Sequence, residues 1–130
     1  MRNFWVLLIL LLCNLSAQWV WQNPSPTGNS LFSIFFLDRA TGWVVGDFGL
    51  VAKTTDGGDS WIYQKVGSQY TWKDCFFFDT QTGWLVSSDG AIAVTFNGGD
   101  IWEIVFNQST LRFDKIFFID REYGWVSGLG

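Results

Sequence analysis

Lys53-Thr54-Thr55-Asp56-Gly57-Gly58-Asp59-Ser60-Trp61 is written a second time, 41 positions on, as Val94-Thr95-Phe96-Asn97-Gly98-Gly99-Asp100-Ile101-Trp102. Both copies keep the glycine pair and the closing tryptophan. The same step of 41 runs outward from this stretch. Gly42-Trp43 returns as Gly83-Trp84 and Gly124-Trp125, and Asp38 returns as Asp79 and Asp120. The apolar triplet Phe35-Phe36-Leu37 returns as Phe76-Phe77-Phe78 and Phe117-Phe118-Ile119. No insertion or deletion breaks the register, so the chain is an array of one repeated unit.

Each unit reads as four short strands. Residues 33–37, 74–78 and 115–119 are nearly continuous apolar runs, the pattern of strands covered on both faces. A turn follows, in the first unit Asp38-Arg39-Ala40-Thr41-Gly42, with Asp set to bond its own downstream backbone and Gly free to take positive φ. Residues 43–46 form the second strand, 47–49 a short turn, 50–54 the third strand, and the opening stretch is the turn into a fourth strand at 61–66. Four strands in a unit of roughly 40–50 residues mark a propeller blade. No segment carries a 3.6-residue period, which excludes a helical solenoid. The predicted fold is all-β, a partial β-propeller. Its expected divisions are a signal peptide at 1–17, an orphan outer strand and linker at 18–30, blade 1 at 31–71, blade 2 at 72–112 and an incomplete blade 3 at 113–130. Trp19-Val20-Trp21-Gln22 matches Trp61-Ile62-Tyr63-Gln64, a fourth strand that closes a ring from the N-terminus. A ring needs at least four blades, so the expectation is an N-terminal portion of a longer chain.

Composition narrows the function. The 130 residues hold 9 Trp, 13 Phe and 14 Gly, and no His. Absent histidine removes the commonest general base and metal ligand, and every Ser-His or Cys-His nucleophile. Arg2 followed by the apolar run at 4–12 and the small Ala17 reads as a secretory signal cleaved before Gln18. The apolar run is too short to span a bilayer, so no membrane span is expected after cleavage. Losing Arg2 from the 8 basic residues leaves 7 against 12 acidic, a net charge of −5. Such a surface repels phosphate backbones and makes nucleic acid a poor partner. Cys75, the one cysteine left, aligns with Ile34 and Ile116 and reads as a small core residue.

The run of Asp38, Gly42-Trp43, Gly46-Asp47, Gly49 and Lys53-Thr54-Thr55-Asp56-Gly57-Gly58, closed by Ser60-Trp61, resembles the Asp-box, or bacterial-neuraminidase-repeat, propellers. More narrowly it is similar to exported bacterial propellers related to the photosystem II stability/assembly factor. Thr54, Asp56, Gly58, Ser60 and Trp61 match the Asp-box pattern in full. In the second copy Thr95, Gly99 and Trp102 match, while Asn97 replaces the aspartate and Ile101 the hydroxyl. The resemblance implies that the box is a hairpin between the third and fourth strands, away from the ligand side.

As a calcium site the stretch fails on charge. Ca²⁺ takes six or more oxygens, and the second copy keeps only Asp100 as a carboxylate. Asn97 can still bond the turn amides, so both copies read as structural turns. A sialidase would need an arginine cluster and a tyrosine nucleophile. Of Arg39, Arg112 and Arg121, the first and last occupy near-equivalent turn positions and read as a repeat feature, and Tyr63, Tyr70 and Tyr123 show no motif. No catalytic residue, cofactor or metal is expected. The predicted function is a non-catalytic binding or scaffold module of an exported, extracellular, surface or periplasmic protein. It would take a protein or glycan partner on its propeller-face loops, first at 65–73 and 107–112. A photosystem assembly factor-like protein and a fragment of a sialidase-like glycosidase are the alternatives.

Overall fold

The computed structural model describes residues 28–130 of the chain, and all ten of its regular elements are strands. The signal at 1–17 and most of the orphan strand and linker at 18–30 lie outside the described residues. Blade 1 is an antiparallel sheet of β1 (Leu31–Phe36), β2 (Gly42–Gly46), β3 (Leu50–Thr54) and β4 (Ile62–Lys65), in that spatial order. Blade 2 repeats it with β5 (Trp72–Phe77), β6 (Gly83–Ser87), β7 (Ala91–Thr95) and β8 (Glu103–Asn107). A hairpin of β9 (Arg112–Phe118) and β10 (Gly124–Leu129) begins blade 3. The first strands β1, β5 and β9 lie side by side, so the sheets fan out from them as propeller blades do.

Each first strand starts two or three residues earlier than its apolar run. The register between the first two strands slips once in every blade, at Phe32, Lys73 and Asp114, which are left without a partner on the second strand. These are 41-residue equivalents, so the bulge belongs to the repeat. In the first two blades the bulged side chains meet, with the Lys73 ammonium 3.7 Å from the centre of the Phe32 ring.

The core lies between blades rather than within one. Trp43 on β2 stacks on Phe77 on β5, with ring centroids 3.6 Å apart and planes 10° apart. Trp102 meets the edge of the same Phe77 ring at 6.0 Å. Val45, Val51, Leu85 and Ala93 fill the space around them. A geometry of this kind adds about 0.5–1.5 kcal/mol to the area that each ring buries. The Trp43 indole N–H finds no acceptor among the described residues, and the Lys53 ammonium lies 5.3 Å from the centre of its ring.

The glycine of each Gly-Trp pair has a different reason from the one expected. Gly42, Gly83 and Gly124 do not take positive φ. Each lies opposite a phenylalanine of its own first strand, whose ring covers it. A Cβ on Gly83 would sit 2.1 Å from the Phe77 ring, and one on Gly124 2.3 Å from Phe118. The pair thus makes room for the ring that the preceding blade's tryptophan packs against.

Candidate functional site

Chain direction sorts the connections into two faces. The β1–β2 and β5–β6 turns and the β3–β4 and β7–β8 turns lie at one end of the sheets. The β2–β3 and β6–β7 turns and the linkers β4–β5 and β8–β9 lie at the other.

The face with the β3–β4 and β7–β8 turns is occupied by its own hydrogen bonds. The Thr54 hydroxyl donates to Asp56 Oδ1 at 2.8 Å, and the Gly58 N–H donates to Thr54 Oγ1 at 2.9 Å. The Ser60 N–H donates to Asp56 Oδ1 at 2.9 Å, and the Ser60 hydroxyl to Oδ2. In the second copy Thr95 donates to Asn97 Oδ1, Gly99 N–H to Thr95 Oγ1 and Ile101 N–H to Asn97 Oδ1, each at 2.9 Å. Gly57 and Gly98 N–H each donate to the neighbouring first turn, to Ala40 O and Gln81 O, at 2.8 Å. Gly57 and Gly58 take φ of 76° and 99°, and Gly98 and Gly99 take 75° and 99°. Asn therefore builds the same turn as Asp. The Ser60 hydroxyl first, then its N–H and Thr54, lower the Asp56 carboxyl to about 2. Among the described residues no group of three or more His, Cys, Asp or Glu is placed to hold a metal.

Trp61 and Trp102 reach beyond their hairpins. Trp61 meets the edge of Phe36 at 6.3 Å, and Trp102 donates its indole N–H across the blade boundary to Gln64 Oε1 at 3.3 Å. The arginines stay apart. Arg121 pairs with Asp79 in the preceding blade and lies over Phe78, 5.2 Å from its centre. Asp79 is lowered to about 2, by the Thr82 N–H first and then by Arg121. Arg39 lies in an exposed turn on the same face, whereas Arg112 starts β9 at the opposite end.

The loops at 65–73 and 107–112 come together on the other face, here called the linker face. They are tied rather than free. Gly49 N–H donates to Tyr70 O at 2.8 Å and Val66 N–H to Gly49 O at 2.9 Å. Gln108 N–H donates to Gly90 O at 2.9 Å, and Asp89 accepts from Thr71 N–H at 2.7 Å. The Tyr70 ring is buried, and its hydroxyl accepts from Asn107 Nδ2 at 3.0 Å. Trp72, which the repeat pattern did not single out, is fully buried and donates to Val66 O at 2.8 Å. Its repeat equivalents Leu31 and Phe113 are also large and apolar, a signal the sequence did hold. At the tip of the β2–β3 turn, Phe48 is exposed and takes a φ of 56°, a conformation a bulky side chain rarely adopts. A rigid platform with an exposed aromatic at its rim can hold an extended chain without first ordering itself.

No protein-family model matches the chain, and no curated protein does. Two solved structures are similar. One is YCF48 bound to D1 peptide, at 24% identity and a TM-score of 0.68 over 78% of this chain and 35% of that one. The other is YCF48 from Cyanidioschyzon merolae, at 22% identity and 0.68 over 81% of this chain and 36% of that one. The chain thus spans about a third of the length of either, and over that third it has the propeller fold of YCF48.

Proposed function

We propose that the chain is a non-catalytic propeller module that holds an extended segment of another protein on its linker face. The likeness to YCF48, one solved structure of which carries a D1 peptide, is the observation that supports this reading most. The geometry supports the choice of face. The Asp-box turns use their polar atoms internally, while the linker face is a pre-tied surface with Phe48 exposed at its rim. A glycan platform is less well supported, since Trp43 and Trp72 are fully buried in packing. A photosystem assembly factor-like role is the narrower version of the same reading, again supported by the YCF48 likeness.

Selection from a random displayed-peptide library, followed by fluorescence anisotropy with the enriched peptides and with a D1 peptide, tests both levels. Phe48→Ser should weaken binding at least tenfold. Phe96→Ser, an equally exposed change on the Asp-box face, should leave it intact. Enrichment that ignores Phe48, or no enrichment, sinks the reading. Enrichment without D1 binding sinks only its photosystem version.

A further inference from the structure

Asn97-Gly98 is the one Asn–Gly pair in the 130 residues, and the fold requires glycine at its second place. Gly98 takes a φ of 75°, and a Cβ there would sit 2.7 Å from Thr80 O and 3.0 Å from Lys53 Nζ. The same glycine makes the asparagine reactive, because an unhindered glycine nitrogen can reach the side-chain carbonyl of the residue before it. In the folded chain the attacking nitrogen and the carbonyl it would attack are both held. The Gly98 N–H donates to Gln81 O at 2.8 Å. Asn97 Oδ1 accepts from the Thr95 hydroxyl and from the Ile101 N–H, both at 2.9 Å. Blade 1 adds a third restraint, with Lys53 Nζ donating to Gly98 O at 3.3 Å.

We propose that Asn97 is a deamidation site that the folded hairpin keeps shut, so that deamidation marks chains in which the β7–β8 turn has opened. The Gly98 main-chain nitrogen gives up its proton and bonds to Asn97 Cγ. The Cγ–Nδ2 bond breaks, the leaving nitrogen takes up a proton and departs as ammonia, and a five-membered succinimide remains. Water then opens the ring. Across both steps one water is consumed and one ammonia released, with no oxidant or reductant. Breaking the new bond to Cγ leaves aspartate, the residue that blade 1 has at Asp56. Breaking the main-chain bond instead leaves isoaspartate, whose main chain runs through Cβ and is one carbon longer. That product cannot lay the Gly98 N–H and the carboxylate where the turn holds them. Asp56-Gly57 forms the same turn, but its carboxyl is lowered to about 2 and is ionised at neutral pH, so it resists nucleophilic attack. The labile copy is the second one.

Incubation of the 130-residue chain in mildly alkaline buffer, followed by peptide mapping with mass spectrometry, tests this. The folded parent should deamidate at Asn97 about tenfold or more slowly than the same chain unfolded in urea, since the reaction must wait for local opening. Two variants loosen the turn. Lys53→Met keeps the apolar stem and loses the bond to Gly98 O. Thr95→Val loses the hydroxyl that donates to Asn97 Oδ1 and accepts from the Asn97 and Gly99 N–H groups. Each should quicken both deamidation and hydrogen exchange of the Gly98 amide, by the same factor, with Thr95→Val the larger effect. Circular dichroism checks that the variants keep the parent's sheet, and the comparison of folded with unfolded parent decides the matter without them. A folded parent that deamidates as fast as the unfolded chain would overturn the proposal. So would variants in which Gly98 exchange quickens while deamidation does not.

Discussion

Asp56 and Asn97 occupy one position in two copies of a turn and share the bonds to Oδ1, so the charge and the added Ser60 hydroxyl bond to Asp56 Oδ2 are what separate them. The lowered Asp56 carboxyl gives that separation a pH signature. A carboxyl depressed from 3.8 to about 2 stabilises the folded chain fully above 3.8, and that contribution is lost as pH falls through 2. Asp56→Asn should therefore be less stable than the parent near neutrality, and the gap should close between about pH 4 and pH 2. Urea midpoints measured for both chains across that range check it. A gap that does not change with pH would mean that the carboxylate's charge adds nothing to the bonds Asn can make. This turn was legible from sequence because a repeat supplies its own control: Asn97 shows what the position needs. The Asp74 position was not legible, since Ser33, Asp74 and Lys115 look like unrelated choices until the blades are laid side by side.

Within a blade, the first hairpin decides how the next blade can be packed. The blade's strands were read well where turn residues bound them closely, as at Leu50–Thr54, and less well at the first strand. There the polar Lys73 precedes the run read at 74–78, and the bulge at Lys73 conceals that pairing starts at Trp72. The covering of Gly83 by Phe77 gives this level its prediction. Phe77 is held between Trp43 and Trp102 and has no room to yield, so Gly83→Ala should cost about 1–3 kcal/mol by overpacking. Gly42→Ala meets Phe36 at 2.8 Å, and that ring is open on its outer side, so the change should cost clearly less. Chemical denaturation of the two variants decides it, and equal losses would show that the preceding blade's tryptophan does not fix the ring.

For the molecule as a whole, blades are joined by neighbour contacts, and Asp74, like Phe76, touches all three. It accepts from the Ser33 hydroxyl in blade 1 and from the Ile116 N–H in blade 3 at 3.1 Å, with the Lys115 ammonium 3.8 Å away. Lys53 Nζ donating to Gly98 O at 3.3 Å and Arg121 paired with Asp79 add further ties. In such an array stability is close to a sum of units and junctions. Asp74→Ala leaves the buried Ile116 N–H without an acceptor, a loss of about 1–3 kcal/mol. Hydrogen exchange should accelerate most in β9 and β10, with Asp74→Asn restoring much of the protection. A uniform loss across β1 to β10 would show that the chain unfolds as one unit and that Asp74 is not a junction.

The junction of Trp43 on Phe77 and that of Trp84 on Phe118 are drawn from one pattern, and the bulge, the turn glycines and the step of 41 all stay in phase with it. This has a consequence at the level of the gene. Unequal recombination between two copies of the repeat adds or removes 41 codons in frame. Wherever the crossover falls, the product again places a tryptophan opposite a phenylalanine at every boundary. Blade number can therefore change in a single genetic event without any new interface having to be invented.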